Sequence, residues 1–278
     1  MIKKIFKGIL IFLVSLIILI GIGDFLWINL PKLSARKNIS DIEDYGKGVS
    51  QINLDDNIEV VGLGEATHGN SDFQDLKLEV LKTLVEKNKV KSFAIEADFG
   101  EGMIINNYIH GNKRDENISR IFSFNIYHTK NMNELINYMF DYNQKAKDED
   151  KLSFYGFDMQ NPEKSIELIL DFCKKNKILQ AKDLNKEFSF IKDEKFKYSQ
   201  IKDKENLLLE IKAYADTLSS PDAKIISRAL TNVLDSVKYY ELDFNDYVKV
   251  NNVRDKFMAE NVKWISDFEK SKGNKMVL

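Results

Sequence analysis

Three short stretches put acids and a histidine where chemistry could be done. Gly64-Glu65-Ala66-Thr67-His68-Gly69 follows an apolar run, Ile58 to Leu63, and sets a carboxylate and an imidazole three positions apart. Lys91-Ser92-Phe93-Ala94-Ile95 runs into Glu96 and Asp98, and Lys151 to Phe157 runs into Asp158 and Gln160. An imidazole with an ordinary pKa of roughly 6.5 can take a proton from water, and a neighbouring carboxylate orients it and stabilises the imidazolium. His68 as base, Glu65 as its partner and Glu96 positioning the water would make a hydrolytic site that needs no covalent intermediate. The competing structural role is that His68 caps the helix that follows while Glu65 satisfies turn amides.

Other chemistries fit less well. Gly62-x-Gly64 opens like a dinucleotide fingerprint, but the next glycine is Gly69, and Glu65 would face the phosphate. The chain has neither a P-loop Lys-Ser/Thr pair nor a Gly-x-Ser-x-Gly elbow. Glu65-x-x-His68 has the spacing of a di-metal carboxylate helix, but neither His110 nor His128 has a Glu three residues before it. A single metal on His68, Glu65 and Glu96 stays conceivable; the expectation is no cofactor and no metal site. Cys173 is the single cysteine and reads as a partly buried helical residue, so no disulfide forms within the chain.

Residues at three strand ends require a scaffold that brings strand ends together. Strands expected at 58–63, 91–95 and 151–157 alternate with helices that begin near Ser71, Glu101, Met132 and Asn161. Ser71 is expected to cap the first of these helices, and Asn161 with Pro162 opens the last. This alternation predicts an α/β fold, a mainly parallel sheet with crossover helices. In such sheets ligands bind outside the carboxyl ends of the strands.

The expected organisation has an N-terminal signal anchor over residues 1–30, a tether over 31–56, an α/β core over 57–173, a Lys- and Glu-rich helical insertion over 174–250, and a return to the core over 251–278. In the insertion, Ser220-Pro221-Asp222 is a helix start. The return contains a helix from Asn252 to Phe268, a stop at Gly273 and the first residues of a fourth strand, Lys275-Met276-Val277-Leu278. That strand reads either as cut off or as a short edge strand at a natural terminus.

Lys3, Lys4 and Lys7 precede an uncharged run from Gly8 to Gly23. The positive-inside rule holds those lysines in the cytoplasm and places the rest of the chain outside it, with the lipid bilayer as a partner. A cleaved signal peptide is the alternative. The first thirty residues carry a local +2, which leaves −4 on the remainder of a chain whose formal net charge is −2. That balance argues against nucleic acid as a partner.

Four segments in order resemble the erythromycin esterase family: Gly64-Glu65-Ala66-Thr67-His68-Gly69, Ala94-Ile95-Glu96-Ala97-Asp98, Phe154 to Gln160, and Arg254-Asp255-x-x-Met258-Ala259-Glu260-Asn261. The resemblance runs from about Asn57 to Leu278. It implies hydrolysis of an ester, in the best-known members the macrolactone of a macrolide antibiotic. It implies His68 as general base with Glu65 and Glu96 as acidic partners. Lys77, where the family has a basic residue, and Asp158, Gln160 and Arg254 are implied to contact substrate, a small ester or lactone.

Two departures accompany the resemblance. Family members continue into a strand ending in Trp-Ala-His-Asn-x-His, whose histidines line the cleft, whereas this sequence stops at Leu278; the 278 residues alone are therefore expected to lack part of the site. The resistance enzymes act in the cytoplasm, whereas this chain carries an anchor. Alternatives to an esterase are a catalytically silent homologue binding a cell-envelope carbohydrate or lipid, and a metal-dependent hydrolase.

Overall fold

A computed structural model describes residues 2–35, 46, 48–65, 67, 68, 70–179, 183–193 and 195–278. Ala66 and Gly69 of the Gly64–Gly69 turn, and residues 36–45 and 47 of the expected tether, lie outside the described residues. The chain divides into two compact units, Met1–Gln51 and Ile52–Leu278.

In the first unit, helix α1 spans Ile2–Ala35, continuing past the expected end of the anchor. Its Phe6–Leu30 portion is 25 residues long with a mean hydropathy of 2.8, and none of that stretch is buried within the protein. At about 1.5 Å per residue, such a helix exceeds the roughly 30 Å hydrocarbon core of a bilayer. It is long and apolar enough to span a membrane or to act as a signal anchor.

The second unit is built on a four-stranded parallel sheet in the order β1-β4-β2-β3. The strands are β1 (Val60–Val61), β2 (Val90–Asp98), β3 (Ser153–Asp158) and β4 (Lys275–Val277). Helix α2 (Ser71–Asn88) connects β1 to β2, and α3 (Phe99–Ile109) and α4 (Lys130–Asn143) connect β2 to β3. After β3 come α5 (Glu163–Lys175), α6 (Leu184–Glu187), α7 (Tyr198–Lys202), α8 (Glu205–Asp216), α9 (Pro221–Tyr240) and α10 (Tyr247–Lys270). The α/β fold with a mainly parallel sheet is as the sequence predicts.

Several details differ from expectation. The first strand contracts to Val60–Val61 because its partner is the three-residue β4; beyond it, the Leu63 N–H still donates to the Leu278 carbonyl at 2.6 Å. β4 lies between β1 and β2, so it is an interior strand and not an edge. β2 runs three residues beyond Ile95, which places Glu96 inside the strand. The cap of α2 is Asn70, whose side chain accepts from the Asp72 N–H, and Ser71 is already helical. Asn161 does not cap α5; its amide donates to Ser123 Oγ, and Pro162 precedes the helix without a side-chain cap. Ser220 does cap α9 as expected, accepting from the Ala223 N–H.

Helix α3 lies directly on β3 through two glycines. A Cβ on Gly102 would fall 1.9 Å from the Gly156 backbone nitrogen, and one on Gly156 would fall 2.2 Å from the Asp98 carbonyl oxygen. One apolar core joins sheet residues Ala94, Tyr155 and Met276 to Ile169 of α5, Leu208 of α8, Leu230 of α9 and Ile265 of α10. Cys173 is fully buried in this core, and burial pushes its thiol up to about 11, which makes it an inert packing residue.

Candidate active site

β1 delivers the chain to Gly62, and Leu63 is pinned through its N–H, so Glu65 emerges at the carboxyl end of the sheet. Two turns into α2, Lys77 shares the buried stripe of Gln74, Val80 and Leu81. Its Nζ lies 2.6 Å from Glu65 Oε2, with only small fractions of both side chains exposed. The other carboxylate oxygen, Oε1, is buried without a hydrogen-bond partner, and His68 Nδ1 stands 3.6 Å from it. That separation is too long for a hydrogen bond. The His68 side chain is 65% exposed, so the imidazole has room to rotate and close the gap.

Glu96 comes from an irregularity in β2. Ile95 pairs with Gly156, but the next registered pair is Asp98 with Asp158, so β2 carries one residue more than β3 over this interval. A bulge of this kind re-aims side chains, and here the residues re-aimed are Glu96 and Ala97. Arg254, on α10, reaches back to the strand ends, with one terminal nitrogen 2.5 Å from Glu96 Oε1 and 2.7 Å from Asp158 Oδ2. Asp158 is fully buried and also accepts from the Met159 N–H at 2.8 Å. Burial works to lower the pKa of Arg254, but its hydrogen bonds and charge pairing with Asp158 and Glu96 outweigh burial and raise it.

These pieces enclose a pocket of about 190 Å³. Glu65, His68, Lys77, Glu96 and the Tyr127 ring line it, with an apolar wall from Leu63, Phe93 to Ile95, Phe157 and Leu278. Asp158 and Arg254 stand behind Glu96, outside the lining. Gln160 sits elsewhere: its side-chain amide donates to the Tyr239 hydroxyl, and its backbone carbonyl accepts from the Tyr198 and Tyr240 hydroxyls.

Sequence reasoning gave Tyr127 no role. Its hydroxyl donates to the Glu96 carbonyl at 3.0 Å, and burial, with the charges of Glu96 and Glu65 adding to it, raises its pKa. Its only sequence signal was an aromatic-rich segment through Phe122 and Phe124. Among the described residues, no group of three or more His, Cys, Asp or Glu side chains is arranged to hold a metal ion.

The family model for erythromycin esterase matches residues 85–278. The chain belongs to the erythromycin esterase family. The match takes in Glu96, Asp158, Gln160 and Arg254, and begins after Glu65, His68 and Lys77. Over 100 residues the chain is 36% identical to a curated Escherichia coli protein, erythromycin esterase type II; this covers 36% of the chain and 23% of that protein.

Three solved structures share the fold. A succinoglycan biosynthesis protein aligns with a TM-score of 0.60 at 21% identity, over 86% of this chain and 59% of its own. A Bacillus cereus protein aligns at 0.65 and 18% identity, over 87% and 59%. A mutant of the erythromycin esterase EreC in its open conformation aligns at 0.55 and 15% identity, over 83% and 65%. The chain thus spans about three fifths of the length of these relatives.

Proposed function

We propose that this erythromycin esterase homologue hydrolyses a neutral ester or lactone with water activated by His68. The observation that carries the proposal is the asymmetric setting of Glu65, with Oε2 held by Lys77 and Oε1 left free beside the imidazole. In the reaction His68 takes a proton from water while Glu65 steadies the imidazolium. The hydroxide adds to the acyl carbon, the bond to the alcohol oxygen breaks, and the imidazolium returns its proton to the leaving alkoxide. Glu96, fixed by Arg254 and beside Tyr127 in the same pocket, orients the water. Lys77 matches the charge of Glu65, and Arg254 is shared between Glu96 and Asp158, a balance that disfavours an anionic substrate.

We infer a location for this chemistry as well. The α1 helix anchors the chain in a bilayer, with Lys3, Lys4 and Lys7 on the cytoplasmic side and the hydrolase unit outside. A substrate there is an ester or lactone met at the cell envelope.

The test is turnover of a panel of uncharged esters and lactones by the protein expressed from its own gene. Hydrolysis is expected, with Glu96→Gln lowering kcat by roughly ten- to a hundredfold because a positioning group is lost. Saturable binding of these compounds with no release of acid would overturn the hydrolase assignment in favour of a silent binder.

A further inference from the structure

A second pair of carboxyls lies past the bulge, on the side of β2 that leads into α3. Glu101, in the first turn of α3, is 2% exposed. Its Oε1 accepts from the Ser123 N–H at 2.8 Å, the Ser123 side chain also hydrogen-bonds the carboxyl, and Oε2 is buried with no partner of its own. Asp98, the cap of the same helix, accepts through Oδ1 from the Gly100 N–H at 2.8 Å and from Ser165 Oγ at 3.4 Å, while Oδ2 is buried and unpartnered. Native proteins satisfy nearly all such atoms, so two adjacent buried orphans point to a missing donor.

The missing donor is also a missing positive charge. Asp98, Glu101 and Asp158 lie within electrostatic reach of one another, and Arg254 answers only Asp158 and Glu96. Lys164 is held by Glu163 at 3.4 Å and Glu167 at 3.0 Å on its own helix. Burial, reinforced by the neighbouring acids, raises the pKa of both Asp98 and Glu101.

Glu101 lines a pocket of about 220 Å³ together with Ser123, Asn161, Glu163, Lys164, Phe196 and Tyr198, and the Lys164 ammonium there is already paired with Glu163 and Glu167. The Phe196 and Tyr198 rings are 5.4 Å apart, and the Tyr198 hydroxyl is tied to the Gln160 carbonyl. The volume has room for roughly seven water-sized groups. It shares no lining residue with the His68 pocket. A bare metal ion would want several oxygen or nitrogen ligands, and no such group occurs among the described residues. What fits is a cation with its own N–H donors and a carbon body for the rings.

We propose that the pocket beside the N-termini of α3 and α5 binds a small protonated amine, its N–H donated to Glu101 Oε2 and its carbon chain against Phe196 and Tyr198. The amine supplies the counter-charge that the Asp98–Glu101 pair lacks. Where the free Glu101 carboxyl holds a proton, binding releases it.

The probe is butylammonium, with 1-butanol as its uncharged counterpart, titrated into the full chain in a neutral detergent by calorimetry in two buffers of different ionisation enthalpy. Saturable binding of butylammonium with buffer-dependent proton release is expected, and butanol should bind at least tenfold more weakly. Glu101→Gln keeps the acceptor for Ser123 and should weaken the amine at least tenfold, and Phe196→Leu should weaken it severalfold. His68→Ala should bind it as the unaltered chain does, so this site and the hydrolytic reading fail separately. Equal binding of butanol, undiminished binding by Glu101→Gln, or no saturable binding would each overturn the proposal.

Discussion

At Glu65 and at Glu96 the same device recurs: a cation on a helix holds a carboxylate that serves the pocket. Lys77 does this from α2 and Arg254 from α10. Arg254 also neutralises the fully buried Asp158, so Arg254→Ala leaves that charge with only a backbone donor. Removing one partner of a buried pair costs about 3 kcal/mol, and urea unfolding should show a loss of that order, with Arg254→Lys recovering part of it. Asp98 makes a second, pH-dependent case. Its folded-state pKa is raised, so the folded chain holds a proton that the unfolded chain, near its ordinary value of about 3.9, has released. The stability this gives is complete below that ordinary value and falls as pH rises through the folded pKa. Asp98→Asn, which keeps the acceptor for Gly100 and cannot ionise, should flatten the fall in the urea midpoint as pH rises above the ordinary carboxylate value. An unchanged profile would contradict the role given to burial. Glu65, His68 and Glu96 were legible as candidates because each follows an apolar run near glycine. Tyr127 was not, because it reaches Glu96 from 31 residues downstream through irregular 3-10 turns that have no periodicity to read.

The elements that position these residues were legible in type and only partly in extent. Apolar runs bounded by glycine and acid revealed the strands of a parallel sheet. The bulge between Ile95 and Asp98 was hidden, because it exists only in the pairing of β2 with β3. The interior place of β4 was hidden for the same reason: strand order is set by non-local contacts that three residues cannot announce. The glycine contact between α3 and β3 fixes how closely the helix carrying Glu101 approaches the strand carrying Asp158. Gly102→Ala inserts a methyl where backbone already stands, at 1.9 Å. Overpacking of this kind costs typically 1–3 kcal/mol, and here the obstruction is backbone, so the upper end is expected. A denaturation midpoint equal to that of the unaltered chain would show that α3 can move away freely.

For the whole molecule, the sequence separated an apolar N-terminal helix from a charged hydrolase-family unit, and the two compact units divide at Gln51. The α1 helix predicts that the protein sediments with membranes and resists alkaline carbonate, whereas recovery in the soluble fraction would contradict anchoring. The central claim, that His68 activates the attacking water, is tested most directly by chemical rescue of His68→Ala in ester hydrolysis. The substitution should lower kcat/KM by roughly 10²–10⁴, and added imidazole should restore part of the rate because the site of the lost side chain, 65% exposed, is open to solvent. Hydrolysis by His68→Ala at the rate of the unaltered protein would contradict it.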